Sequence, residues 1–255
     1  VLILVIPKSR YGGKTLTGKK QLFQGALVAT LLCFATFVLA PTASATPIGH
    51  LDTANCAGGG VVVTATTIDW TLPVGPPNGC IQTGQGTNIT FSGGSLGPGA
   101  TGSILDLSMG QSFPIANFMT FPGLSFTLAA LGPGPSNTNC AGLSLFQSCA
   151  AFSGSPFSLQ LVPSGTAVSL SANGTVSDTT GTSTWSGAFT TQIAGMTPAQ
   201  IQSTIANGGS VTSTHSGDFT LTAQVVPEPA TISSMLLGAF LVAGGLFRRR
   251  KTFRA

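Results

Sequence analysis

Between Lys20 and Arg248 the chain contains neither a lysine nor an arginine. Only 6% of its 255 residues are charged, and all ten cations sit at the ends: Lys8, Arg10, Lys14, Lys19 and Lys20 before residue 21, and Arg248, Arg249, Arg250, Lys251 and Arg254 after residue 247. Residues 46–226 carry five aspartates and no cation (Asp52, Asp69, Asp106, Asp178, Asp218), a formal charge of −5, although the whole chain sums to +4. Nucleic-acid binding depends on Lys and Arg set against phosphates, so the body is excluded from that class. The same absence removes the usual cationic stabilisers of anionic transition states. Histidine is scarce as well, with His50 and His215 alone, which leaves general acid–base chemistry little to build with.

What charge there is marks the two ends as addresses. Lys19-Lys20, the apolar LFQGALVATLLCFATFVLA and then Ala43-Ser44-Ala45 have the cationic start, apolar middle and small-residue cleavage site of a secretory signal. Residues 1–45 are therefore read as a signal peptide cut after Ala45. Residues 22–40 are also long enough for an uncleaved anchor, and the Ala-x-Ala ending favours cutting. The opening VLILVIPKSRYGGKTLTG has no place in such a signal, so translation is expected to start nearer Lys19.

At the other end, residues 231–247 run without a charge and would span about 25 Å as a helix, at the low end of what a bilayer core requires. Arg248, Arg249, Arg250 and Lys251 then form a basic anchor that keeps the C-terminus cytoplasmic and the body on the outer side. Pro227 and Pro229 remove two N–H donors and keep Glu228 extended, making a rigid step open to a processing enzyme. The sequence Val226-Pro227-Glu228-Pro229-Ala230-Thr231, followed by a short apolar segment and an Arg-rich end, resembles the PEP-CTERM sorting signal of Gram-negative bacteria. The resemblance covers about the last thirty residues. It implies recognition and processing near the Pro-Glu-Pro by exosortase, a membrane transpeptidase-like enzyme of organisms that make exopolysaccharide. It implies handling and says nothing of activity. A plain membrane anchor with a Pro-rich linker is the rival reading.

Loss of the signal removes Cys33 and leaves Cys56, Cys80, Cys140 and Cys149, an even count that in an oxidising compartment favours two disulfides. Three pairings are open. The local one, Cys56 with Cys80 and Cys140 with Cys149, is expected because each pair brackets a Gly/Pro/Asn-rich loop. A metal site is the competing use, but no Cys-x-x-Cys or paired His accompanies these residues.

Within the body, alternation at period two recurs, the mark of half-buried strands. It runs through Ile68, Trp70 and Leu72; Leu105, Leu107 and Met109; Leu124, Phe126, Leu128 and Ala130; Phe157, Leu159 and Leu161; and Phe219, Leu221, Ala223 and Val225. Val168 and Leu170 lead to Asn173-Gly174, the pair best suited to a tight hairpin turn, with Val176 beyond it. One stretch differs. Thr197 as N-cap, Pro198 in the first turn, Gln200 closing a capping box, Met196 stapling onto Ile201, and Gly208 after Asn207 predict a short helix between two late strands. The fold class expected is all-β: an antiparallel β-sandwich, jelly-roll-like, over residues 46–225 with this one helix, flanked by a signal helix and by a sorting segment, 226–255, that carries a transmembrane helix.

No catalytic constellation survives inspection. Gly93-Gly94-Ser95-Leu96-Gly97 matches a nucleophile elbow, but Pro98, Gly99 and Gly102 follow where that motif needs a helix, and the segment is read as a loop. His50 with Asp52, and His215 with Asp218, are read as surface groups. Five Asp and many loop carbonyls would suit calcium, yet no clustered spacing appears; no metal or cofactor is assigned. Trp70 is placed in the core and Trp185 left open. Asn88-Ile89-Thr90 and Asn173-Gly174-Thr175 match glycosylation sequons.

The sequence thus points to a non-enzymatic exported protein, first anchored in the inner membrane through residues 231–247 and then sorted by exosortase to the cell surface or extracellular matrix. Its expected role there is structural or adhesive, within exopolysaccharide or biofilm. A secreted carbohydrate-binding module using exposed tryptophan, and a hydrolase without a recognisable motif, are the rivals.

Overall fold

The computed structural model describes residues 46–71, 78–224 and 238. The signal segment with Ala43 and Ala45, the motif Val226-Pro227-Glu228-Pro229, the basic end Arg248–Lys251 and, apart from Gly238, the apolar run 231–247 lie outside the described residues, as does Leu72. Among the described residues no helix is long and apolar enough to cross a membrane.

In chain order the strands are β1 (Gly49–Asn55), β2 (Gly60–Val63), β3 (Thr67–Thr71), β4 (Asn78–Thr83), β5 (Ile89–Phe91), β6 (Gly94–Leu96), β7 (Thr101–Leu105), β8 (Leu107–Ser108), β9 (Ile115–Phe121), β10 (Leu124–Leu131), β11 (Ser148–Cys149), β12 (Phe157–Val162), β13 (Gly165–Ser177) and β14 (Thr182–Ala194). After the helix α1 (Pro198–Ala206) come β15 (Val211–Ser213) and β16 (Ser216–Ala223). Over residues 46–71 and 78–224 the protein is mostly β with one short helix, as expected.

The sandwich is not what forms. Eight strands in the order β10-β9-β7-β4-β1-β16-β14-β13 make one antiparallel sheet, and β13 pairs back onto β10 to close it into a barrel. Closure removes the free edges that two separate sheets would leave. Alternate residues of the strands are buried and form one cluster that includes Leu51, Ile81, Phe126, Val176, Trp185 and Phe219. The interior is therefore a packed core. Trp185 lies edge-on to Phe219 (5.4 Å between ring centroids) and to Phe126 (6.1 Å), and its indole Nε1 donates to the carbonyls of Thr127 and Thr175, each at 3.1 Å. Two glycines make room for the neighbouring strands and for these rings. A Cβ at Gly174 would overlap the Thr127 carbonyl of β10 and stand 2.9 Å from Trp185 Nε1, and one at Gly187 would overlap the Asp218 carbonyl of β16 and stand 2.6 Å from Phe219 Cδ1.

That packing explains why Asn173-Gly174 is not a turn. Both residues lie inside the thirteen-residue β13, paired with Ser186 and Trp185 of β14; the glycine answers to the Thr127 carbonyl and the Trp185 ring pressed against it rather than to a positive φ. The turn between β13 and β14 instead follows Asp178. The Asp178 carboxylate accepts hydrogen bonds from the Thr180 and Gly181 amides (2.8 Å each), from the Thr180 hydroxyl, and from the amide (2.9 Å) and hydroxyl (2.7 Å) of Ser92 in the β5–β6 turn. Burial pushes this carboxyl up, but the donated hydrogen bonds outweigh it and hold Asp178 well below the usual carboxylate range.

The long strand β13 changes partner along its length. Its C-terminal half, from Ala172 to Ser177, pairs with β10; its N-terminal half, from Gly165 to Leu170, pairs with β12, which in turn pairs with β11. So β11, β12 and the adjoining halves of β13 and β14 overhang the barrel. A second sheet, in the order β15-β2-β3-β8, contributes to the same region. The alternation expected through Leu105, Leu107 and Met109 breaks at Asp106: β7 belongs to the barrel and β8 to the small sheet. Asp106 Oδ1 accepts the Trp70 backbone N–H at 2.8 Å, which steers the chain from one sheet to the other and leaves Met109 exposed.

Helix α1 carries the predicted cap: the Thr197 side chain accepts from the Gln200 amide while the Gln200 side chain accepts from the Thr197 amide, Pro198 opens the helix, and Asn207 ends it. Ile201 and Ile205 pack in a second cluster with Cys140, Cys149, Leu159 and Val211. Gln202 fastens the neighbouring loop, its Nε2 donating to the carbonyls of Thr138 (2.7 Å) and Ala151 (3.0 Å). The cysteines pair locally. Cys56–Cys80 ties the chain just beyond β1 to β4 (Cα–Cα 5.6 Å), and Cys140–Cys149 (5.3 Å) closes the loop under α1.

Candidate functional site

Where the two apolar clusters meet, a cleft of about 530 Å³ lies between the small sheet and the overhang. The small sheet supplies Val61, Ile68 and Trp70. The overhang supplies Leu159, Val168 and Ile193, and α1 adds Ile201 and Ile205. No Asp, Glu, Lys or Arg lines it, and His215 is its single titratable side chain. The segment linking β8 to β9 forms part of the wall, and two of its residues are large, apolar and open to solvent: Met109 (64% exposed) and Phe113 (43%). The Met109 amide donates to the Thr66 carbonyl at 2.7 Å, which ties this segment to the β2–β3 turn.

Most polar side chains of the lining are already partnered. Thr64 and Thr67 share a hydrogen bond (2.8 Å), and the Thr191 hydroxyl bonds that of Ser213. Two buried side chains are not. His215 is 5% exposed and Trp70 3%, and Nδ1 and Nε2 of His215, together with Nε1 of Trp70, are buried without a hydrogen-bond partner. The two rings touch edge to face, 4.7 Å between centroids, and Phe189 packs on Trp70 at 5.0 Å. Desolvation pushes the His215 pKa down to about 4, so near neutral pH the ring is uncharged, with one N–H donor and one lone pair. An unpartnered buried polar group costs about 1–3 kcal/mol, and three of them gathered at one wall are an unusual concentration.

The backbone explains how His215 came to be here. It lies between β15 and β16; its N–H donates to Asn55 Oδ1 and its carbonyl accepts the Asn55 N–H, both at 3.3 Å. This clamp turns the side chain under the small sheet. The expectation that His215 is a surface group paired with Asp218 is therefore overturned. Asp218 instead faces His50 (Nδ1–Oδ1 3.6 Å) across the β1–β16 pair. Asp52 serves the β4–β5 loop, its Oδ2 accepting from the Gly86 amide at 3.3 Å.

The remaining expectations fall into place around the cleft. Gly93-Gly94-Ser95-Leu96-Gly97 is not a loop but the turn and second strand of the β5–β6 hairpin, with Ser95 exposed. Asn88 accepts the His50 amide (3.0 Å). Both tryptophans are buried, Trp185 at 2% exposure, so neither offers an open face for a sugar. Among the described residues no group of three or more His, Cys, Asp or Glu is placed to hold a metal. Sequence reasoning missed the cleft. The signal that pointed to it is Met109 and Phe113, two large apolar residues in a stretch otherwise rich in Gly, Gln and Ser.

No family model, curated protein or solved structure matches this chain.

Proposed function

We propose that the protein is a non-enzymatic exported protein, sorted by a PEP-CTERM/exosortase system to the cell surface or extracellular matrix, where it is a structural or adhesive component of exopolysaccharide or biofilm. The observation that carries this reading is the distribution of charge around the Val226-Pro227-Glu228-Pro229 step: a cation-free body, an apolar run and a basic end, in that order. Two disulfides in the body support it, because such bonds persist in oxidising compartments. Inner-membrane anchoring precedes processing, and exosortase is the processing partner. Nucleic acid has no place among the partners of a body without Lys or Arg.

Expression in an exosortase-bearing host, followed by fractionation and intact mass, tests the reading. The wild-type chain should leave the membrane having lost both residues 1–45 and the basic end. Glu228→Ala should remain membrane-bound with Arg248–Arg250 still attached. Equal release of the two proteins would refute sorting through this motif.

A further inference from the structure

We propose that the cleft between the small sheet and the overhang binds a small, uncharged, lipophilic alcohol, its chain along the apolar walls and its hydroxyl at His215 and Trp70. The volume, about 530 Å³, falls within the range of about 300–1,000 Å³ typical of small-molecule sites, which are mostly apolar with a few convergent polar groups. The mouth points the same way. Met109 and Phe113 are two of the five large hydrophobic residues exposed among the described residues, and both stand on the cleft. Exposed apolar surface gathered at a concave site marks a contact surface.

The chemical class follows from the unpartnered atoms. Four buried side-chain polar atoms lack a partner among the described residues, and three of them belong to the touching rings of His215 and Trp70. A neutral imidazole supplies one donor and one acceptor, and the indole supplies a second donor. A hydroxyl both donates and accepts, so it answers the imidazole lone pair and an N–H at once. A carbonyl leaves the lone pair unanswered, and a hydrocarbon leaves all three atoms so. A carboxylate would enter with a charge that no cation of the body compensates. The three nitrogens are covered as the rings stand, so binding turns the imidazole about its Cβ–Cγ bond, a torsion with broad wells.

The chain's two tryptophans supply the assay. The full-length oxidised chain, in nanodiscs that accommodate its terminal apolar runs, is titrated with 2-bromododecan-1-ol, whose bromine quenches an indole it touches. 2-Bromododecane and 2-bromododecanoate serve as comparators. The expected result is saturable quenching by the alcohol, at least about tenfold tighter than by either comparator, and absent in Trp70→Phe, where Trp185 alone reports from inside the barrel. His215→Phe keeps a ring in place but removes the lone pair that takes the hydroxyl proton, and should cut the alcohol's advantage over the hydrocarbon several-fold. Met109→Glu, on the exposed rim where folding is indifferent to it, should weaken the alcohol several-fold. Non-saturable quenching, equal quenching by the three probes, an alcohol preference undiminished in His215→Phe, or an affinity untouched by Met109→Glu would each overturn the assignment.

Discussion

Between pH 6.5 and 4, acid should weaken this fold through the buried side chain of His215. Its pKa is pushed down to about 4 by burial, against about 6.5 in an unfolded chain. The folded protein therefore keeps the ring neutral over a range in which the unfolded chain binds a proton. Stability attributable to His215 is complete above about pH 6.5, declines as pH falls towards 4, and levels off below that, because the folded ring then takes up a proton too. At about 1.4 kcal/mol per pH unit, the interval corresponds to about 3 kcal/mol, or a fall of roughly 6–12 °C in melting temperature for a domain of this size. Asp106 works in the opposite direction: burial pushes its pKa up, the Trp70 amide opposes that, and Asp69 adds to it. A carboxyl whose pKa is raised by folding adds stability as pH falls. The comparison that isolates His215 is therefore wild type against His215→Phe, in which every other titration is shared. Melting of the full-length oxidised chain, followed by tryptophan fluorescence from pH 7.5 to pH 3.5, should show the wild-type curve descending relative to the variant between pH 6.5 and 4 and running parallel outside that window. Parallel curves throughout would refute the claim that this imidazole is buried without a partner.

Two further perturbations probe the frame around the site. Asp178→Ala removes the acceptor for five donors shared between the β13–β14 and β5–β6 turns; a loss of about 2 kcal/mol is expected by denaturant unfolding. Because folding lowers this carboxyl's pKa, the wild-type advantage should be full above about pH 4, the unfolded value, and shrink as pH falls further. Trp185→Ala should cost about 3–5 kcal/mol by the same measurement, since the ring is enclosed by Phe126 and Phe219; a loss below about 1 kcal/mol would mean that the ring lies on the surface.

Several elements could be read from the chain because their cause is local. Thr197, Pro198, Gln200 and Gly208 specify the helix within a dozen residues, and all the cap bonds form. The cysteine pairs are separated by 24 and 9 residues and close their own loops. Strand alternation located part of the core, with Ile68, Trp70, Leu124, Phe126, Leu128, Phe219 and Leu221 among it, because each strand needs only to know which of its faces is covered. What failed depended on partners distant in sequence. Asn173-Gly174 has the composition of a turn, and only the Thr127 carbonyl of β10 and the Trp185 ring, brought across by β14, show that the glycine is there for space. Leu105 to Met109 alternates without interruption on paper, and only the Trp70 amide, thirty-six residues earlier, reveals Asp106 as the point where the chain changes sheets. His215 next to Asp218 suggests a surface pair until the Asn55 clamp, 160 residues away, is seen to turn the ring inward.

The same long-range pairing accounts for both barrel and cleft. A sandwich and a barrel demand the same alternation from each strand, so periodicity cannot choose between them; the choice rests on whether the last edge finds the first. Here β10 pairs with only six positions of the thirteen-residue β13, and a bulge between Leu128 and Ala130 adjusts the seam. The remainder of β13, together with the adjoining part of β14, extends past the closure and carries β12 with it. An overhang of this kind has an apolar face that the barrel cannot cover. Helix α1 covers part of it with Ile201 and Ile205, and the small sheet adds Val61, Ile68 and Trp70. These covering elements meet the overhang on different sides and leave the cleft between them. The site is thus a consequence of strands longer than the barrel they close, and His215 stands at its wall because the segment from β15 to β16 must pass from the small sheet to the barrel there.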